Sequence, residues 1–415
     1  MKAEPHLLNR YQLRLLAILA LINFVNFADR LLVPPLVPLL REQFSLTSAQ
    51  LALLQGVLQV VLAVATIPFG MLADRMSRTR IIASGVVFWS LATFLTGLAH
   101  TFALLLLARA LVGVGEAAYA PAAQSMISGA FSAEARARAQ AVFAAGMLTG
   151  ATTGLALGGV IGQAWGWRSA FFLVAAPGLF LGLSALHLKE PPRGPRSEVV
   201  PIKRLLRVPA YVALILSGVL VTFASLAFIV WGPDFVGRWK DFSPREAGVS
   251  LGITVLLASV LGVLTGGYAA DWLQKRYAYG RILTVTLAFV AAAPFVIWAL
   301  ATEEKSSLVL ALFIAAYFMS WYHGPVTAVI HDLMPRRAHA TSVGVYMFVT
   351  QLLGGVGGPF VVGKIDDLSD LLVGLKVAVG VMLVGALSFL LVIYFIRRDG
   401  LHHPHLDVYR AEADD

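Results

Sequence analysis

The sequence predicts an all-α integral membrane protein: twelve transmembrane helices in two pseudosymmetric six-helix bundles, both termini cytoplasmic. Composition, the spacing of apolar runs and local internal repetition predict it. Of 415 residues, 58% are hydrophobic and only 13% are charged, against about 25% charged in a soluble domain. The missing charge means that most of the surface must lie in lipid.

A helix crossing a bilayer needs about 20 apolar residues. Such runs fall at roughly 14–37, 51–73, 80–99, 102–129, 139–163 and 169–188. They resume at roughly 210–235, 247–273, 281–301, 307–331, 340–363 and 372–396. The first run flows into polar and charged positions with no small-residue cleavage site, so it reads as a retained span rather than a signal. The domains expected are a bundle over 1–188, a linker over 189–209, a second bundle over 210–398 and a tail over 399–415.

Lysine and arginine orient the spans. With a cytoplasmic N-terminus, the inside segments hold 22 of the 32 basic residues and the outside segments 8. That bias places both termini inside, in a multi-pass protein of the cell inner (plasma) membrane. The linker carries Pro191, Pro192, Pro195, Pro201 and Pro209 with Lys189, Arg193, Arg196, Lys203, Arg204 and Arg207. It reads as a cytoplasmic strap on anionic headgroups. The net charge of +9 is then a matter of topology and membrane lipid, and no nucleic-acid partner is expected. With no cysteine, disulfides and thiol chemistry are excluded.

The halves repeat each other. Gly70-Met71-Leu72-Ala73-Asp74 ends the second span and Gly267-Tyr268-Ala269-Ala270-Asp271 the eighth. Pro121 matches Pro325, and Arg136, Ala139, Gly154 and Gly162 match Arg337, Ala340, Gly355 and Gly363 at a constant offset. Homologous halves imply a central cavity and rocking of one half against the other.

Two of these segments resemble the major facilitator superfamily. Gly70 through Asp74, Arg75, Arg78 and Arg80 is similar to its loop 2–3 signature, and Gly146, Gly150, Gly154, Gly158 and Gly159 to its glycine-rich fifth helix. More narrowly, the first half resembles the Spinster family. The residues are Asn26-Phe27-Ala28-Asp29-Arg30, the run Ala108-Arg109 through Gly113, Gly115, Glu116 and Ala117, and Pro121. Gly166-Trp167-Arg168 and Glu190-Pro191-Pro192 add to it. Organic-anion symporters share the Asp-Arg of span one and the Arg…Glu of span four.

Asp29, Arg30, Arg109 and Glu116 carry charge inside apolar spans. Each costs roughly 2.5–3.5 kcal/mol at a helix centre, so four left unpaired would cost on the order of 10 kcal/mol. They must face one another or a wet cavity. Arg109 and Glu116 are seven residues apart, on one helix face about 10 Å apart along the axis. Asn23, Asn26 and Asp29/Arg30 form a polar stripe on span one. The resemblance implies that spans one, four, seven and ten line the cavity. Ionised, the four charges sum to zero, and one added proton leaves a net positive site for a phosphate or carboxylate. Asp29 and Glu116 are therefore the candidate proton-coupling residues, and Arg30, Arg109 and Asn26 candidate substrate-binding residues. A static cluster fixing helix packing is the alternative.

Gln59, with Gln55, faces either the cavity or an adjacent helix, and Trp321, with Tyr322, is a candidate for an apolar lining. Gly70, Asp74, Arg75, Arg78 and Arg138 are candidate gating residues. By resemblance Asp74 bridges to the other half and to a basic residue such as Arg138. His402, His403 and His405 read as solvated rather than metal-binding. No metal or cofactor is expected, nor any enzymatic constellation.

The resemblance implies a proton-coupled secondary transporter. It would move an amphipathic anion, a lysophospholipid or a sphingoid-phosphate-like lipid, by rocker-switch alternating access, and act as a monomer. A symporter of small organic anions such as sugar acids and a drug–proton antiporter are the alternatives.

Overall fold

The computed structural model describes residues 9–191 and 200–399. The described residues contain helices and connections without strands. Twelve helices are long and apolar enough to cross a membrane. Spans one to six are Arg10–Phe44, Ser48–Leu72, Arg78–Gly97, Phe102–Ala130, Arg138–Trp165 and Trp167–Ala185. Spans seven to twelve are Pro209–Trp239, Pro244–Gln274, Gly280–Ala301, Lys305–Leu333, Thr341–Leu368 and Leu371–Asp399. In lipid a backbone must satisfy its own hydrogen bonds, which leaves helices as the solution for such apolar runs. The tail histidines lie outside the described residues.

Two compact units result. The first holds residues up to Leu46, Val57–Pro195 and Ser243–Gly252; the second holds Thr47–Gly56, Arg196–Phe242 and Ile253 onward.

Span one departs from the expected straight run over 14–37. Its first helix starts earlier, at Arg10, where Asn9 and Gln12 form a capping box. It ends at Arg30, ahead of Pro34 and Pro35. These prolines lack the N–H that a continuing helix requires, so a short 3₁₀ turn, Pro34–Leu36, leads into a second helix, Val37–Phe44. Arg30 thus sits in the last turn, where the negative end of the helix dipole favours a cation.

Span five lies flush on span one. Gly146, Gly150, Gly154 and Gly158 sit over the backbone oxygens of Ala20, Phe24, Ala28 and Leu32, where any Cβ would collide. The four-residue spacing on both helices keeps one ridge in register with one groove, as small residues do at close membrane-helix crossings. In the second unit Gly354 and Gly358 of span eleven meet the backbone of span seven at Val219 and Phe223.

Spans ten and eleven are irregular, which the apolar pattern did not predict. Span ten is helical over Lys305–Met319, passes through a 3₁₀ turn at Ser320–Tyr322, and resumes over His323–Leu333. Pro325 cannot donate to the carbonyl of Trp321 four residues earlier, and its ring crowds that carbonyl. Span eleven widens into a π-helix over Thr350–Val356. The Thr350 hydroxyl donates to the Tyr346 oxygen at 2.9 Å and to the Met347 oxygen at 3.2 Å at the start of this stretch. A side chain inserted into the ladder is one cause of such a distortion.

Candidate functional site

The four charges of spans one and four meet in the first unit as two ion pairs. Arg109 Nη1 donates to Asp29 Oδ1 at 2.8 Å. Arg30 Nε donates to Glu116 Oε2, also at 2.8 Å. The side chains of Asp29 and Glu116 are fully buried, that of Arg109 is 1% exposed, and only Arg30, at 17%, keeps a partly open side.

Local geometry explains the pairing. Asp29 is short and reaches the residue at its own depth, Arg109. Arg30 is long, and helical side chains lean toward the N-terminus of their helix. Its guanidinium therefore travels back along span one and reaches Glu116, two turns further along span four. Aromatic rings support both cations: Arg30 lies over Phe27 at 4.9 Å and Arg109 over Phe171 at 5.9 Å.

The two carboxylates differ in how far they are satisfied. Asp29 is held on both oxygens, because Thr93 of span three donates to Oδ2 at 2.6 Å. Glu116 Oε1 is buried without a hydrogen-bond partner. Arg109 Nε and Asn26 Nδ2 are likewise buried and unpartnered. The buried part of the site thus holds one spare acceptor and two spare donors. Unsatisfied buried polar groups are costly, which marks the place where a proton or a ligand group would be favourable.

Thr93 was not foreseen. Ser90, Thr93 and Thr96 form a hydroxyl stripe at helical spacing in span three. Ser90 and Thr96 turn back to their own backbone, at Val86 and Ala92. Spacing alone gives no means of telling Thr93 from its neighbours. Asn23, by contrast, is a packing residue: it donates to the Phe143 oxygen of span five at 2.9 Å.

The remaining predicted residues scatter. Gln59 is half-buried on span two, and Gln55 Nε2 is buried without a partner. Trp321, half-buried, packs on Gly266 of span eight and on Tyr317 and Phe318, with its indole N–H unpartnered. Tyr322 and Tyr346 share a hydrogen bond between their hydroxyls. Gly70, like its repeat mate Gly267, has open space where a Cβ would stand. Arg75 and Arg138 are exposed. The side chain of Asp74 lies outside the described part of the structure.

Arg78 is buried and bound within its own unit. It donates to Ser125 Oγ at 3.0 Å and to the Pro191 oxygen, and its Nε lies 3.7 Å from Glu190 Oε2. Glu190 also accepts from the Ser77 hydroxyl and from the Thr79 hydroxyl at 3.2 Å, at the start of span three. Burial raises this carboxyl, but the Ser77 and Thr79 hydrogen bonds and the Arg78 charge outweigh it and hold it below its ordinary value. The start of the linker is therefore pinned to the loop between spans two and three.

At the opposite end, the first turn of span two is held inside the second unit. Asp367 accepts from the backbone N–H groups of Ser48 (2.6 Å) and Ala49 (2.9 Å), and Asp366 accepts from the Ser48 hydroxyl. Arg238 bridges Asp234 and Asp366. Among the described residues no group of three or more acidic or histidine side chains is placed to hold a metal.

The sequence profile of the Major Facilitator Superfamily matches residues 19–359. The chain belongs to that superfamily. It is a multi-pass membrane protein and a transporter by family. It is 28% identical over 401 residues to an MFS-type efflux pump of Mycolicibacterium smegmatis, covering 92% of each chain. It is also 28% identical over 382 residues to a sphingosine-1-phosphate transporter of Danio rerio, covering 84% of this chain and 75% of that one. Among solved structures it is similar to a bacterial homolog of the human lysosomal transporter Spinster in an inward-facing, unoccupied conformation. There the TM-score is 0.84 at 25% identity, covering 94% of this chain and 98% of the other. The resemblance to Spinster proteins seen in the span-one and span-four residues thus extends along most of the chain.

Proposed function

We propose that this protein is a proton-coupled secondary transporter of an amphipathic anion, a lysophospholipid or a sphingoid-phosphate-like lipid, working by rocker-switch alternating access in the inner membrane. The observation that carries the reading is the unequal satisfaction of the two carboxylates. Glu116 keeps one free oxygen while Asp29 keeps none. Glu116 takes the proton, and its bond to Arg30 weakens. Arg30, the one partly open member of the cluster, then offers its guanidinium to the anionic head. Arg109 Nε and Asn26 Nδ2 supply further donors. Asp29, held by Thr93 and Arg109, keeps the site ordered through the exchange.

The likeness to the sphingosine-1-phosphate transporter supports a lipid phosphate as cargo. The efflux-pump relative, which matches over a larger share of the chain, supports a second reading: an amphipathic drug exchanged for protons through the same Glu116. Gating by Gly70, Asp74, Arg75, Arg78 and Arg138, a polar substrate contact from Gln59, and an apolar lining that includes Trp321 belong to the proposal.

Flux into proteoliposomes of a labelled lysophospholipid, a sugar acid and a lipophilic cation separates these readings. The lysophospholipid is expected to move, and its flux to fall at least about tenfold in Arg30→Gln. That loss corresponds to about 1.4 kcal/mol, at the lower edge of what a charge-assisted hydrogen bond supplies. Movement of the cation alone would establish the drug exchanger, and movement of the sugar acid alone the organic-anion symporter.

A further inference from the structure

A groove of about 370 Å³ opens on the second unit between the beginning of span seven and the end of span twelve. Its volume falls in the range of ligand-sized cavities. Val212 and Leu216 of span seven and Leu391 and Phe395 of span twelve form its walls. Leu216 and Leu391 are 60% and 55% exposed, so the walls of the groove are open and apolar. Along the floor the Ser388 hydroxyl donates to Ser217 Oγ and to the Gly385 oxygen, both at 2.7 Å. These hydroxyls are satisfied, so the groove presents an apolar interior that needs no polar guest.

Its mouth is different. Arg207 lines the groove at the basic end of the helices. It is exposed, and among the described residues its guanidinium has no ion-pair partner. The neighbouring cations of span twelve are already engaged: Arg398 with the Asp399 carboxylate at 2.6 and 2.9 Å, and Arg397 with the Tyr279 hydroxyl. Arg207 lines the groove itself and is open to an anion from outside the chain. From Pro209, two residues after Arg207, to Ser217 the helix rises about 12 Å, most of one half of the roughly 30 Å hydrocarbon core. The groove thus has the depth of one leaflet, with a positive charge at headgroup level and an apolar channel below it.

We propose that this groove is a binding site for an anionic diacyl phospholipid of the surrounding leaflet, with its phosphate on Arg207 and one acyl chain along Val212, Leu216 and Leu391. It is distinct from the charged cluster of spans one and four and does not depend on what the protein transports.

Native mass spectrometry of the purified full chain, offered equal phosphatidylglycerol and phosphatidylcholine, tests it. Wild type is expected to retain phosphatidylglycerol about fivefold over phosphatidylcholine, the preference that one basic residue near an anionic lipid surface confers. Arg207→Gln brings that ratio close to one, Leu216→Trp reduces retention of both lipids by filling the groove, and Lys275→Gln leaves the ratio at its wild-type value. Both test positions are on the exterior, and an unchanged melting temperature verifies that the variants fold. Three results would overturn the proposal: equal retention of the two lipids by wild type, a preference that survives Arg207→Gln, or displacement of the bound phospholipid by one equivalent of lysophospholipid, which would make the groove an entry site for cargo.

Discussion

Spans one and four of the first half and spans seven and ten of the second occupy matching places in the chain, yet they solve the problem of a polar interior differently. The first pair buries four charges as two ion pairs. In the second pair, at the break of span ten, the Tyr322 hydroxyl bonds neutral hydroxyls, those of Thr222 in span seven and of Tyr346 in span eleven. The ion pairs of the second half stand toward helix ends, at Asp234–Arg238–Asp366 and at Arg281–Asp332. The lesson is a division of labour. Among the described residues the buried charge cluster lies in the first half, while the break of span ten in the second is lined by neutral and aromatic side chains.

Breaking the charged half should therefore cost more than breaking the neutral one. Arg109→Ala leaves the Asp29 carboxylate buried with only Thr93 as partner, and breaking a buried pair from one side costs about 3–5 kcal/mol. A large fall in melting temperature is expected, partly relieved in the double variant Arg109→Ala/Asp29→Asn, in which no charge is left unpaired. In the second half Tyr322→Phe removes neutral hydrogen bonds, to Tyr346 and Thr222, and is expected to cost about 1 kcal/mol for each. Equal losses in the two halves would end the comparison.

Packing is expected to give intermediate effects. Gly154→Leu pushes span five off the Ala28 backbone and, as overpacking does, should cost about 1–3 kcal/mol. It also displaces the segment bearing Asp29, so transport should fall even where folded protein is recovered. Gly70→Ala, where a Cβ meets open space, should leave stability unchanged. A melting series of these two variants checks the contrast.

Smaller effects are expected at the helix ends. Asp367→Ala removes the carboxylate that caps Ser48 and Ala49, for about 1 kcal/mol as for other N-caps, read as a modest melting shift. On the linker side, the carboxyl of Glu190 is held below its ordinary value in the folded protein. A depressed carboxylate adds stability above its unfolded pKa and loses it as pH falls through the folded value. Wild type should thus exceed Glu190→Gln in resistance to proteolysis of the linker at neutral pH. The two should converge in acid, below the ordinary carboxylate range.

Much of this arrangement was legible in the sequence, for identifiable reasons. Apolar runs of about 20 residues have one solution in lipid, so the twelve spans followed from composition and length. Charges inside such runs are too costly to stand alone, so Asp29, Arg30, Arg109 and Glu116 had to face one another or a wet cavity, and the structure pairs them. Which partners which was not legible, because it depends on the lean of the long Arg30 side chain and on the end of the helix at Arg30. Thr93 was hidden among hydroxyls that bond their own backbone. The break at Ser320–Tyr322 and the π-helix at Thr350–Val356 were invisible to hydropathy, which counts apolar residues and is blind to the loss of a single hydrogen bond before Pro325.

The central claim is that one proton on Glu116 changes the charge of the cluster and so drives transport. The direct measurement is lysophospholipid uptake into proteoliposomes under an imposed pH gradient, set beside exchange without a gradient, in wild type and Glu116→Gln. The account predicts gradient-driven accumulation in wild type, and in Glu116→Gln exchange that persists while accumulation is lost. Accumulation in Glu116→Gln that still follows the pH gradient would contradict it.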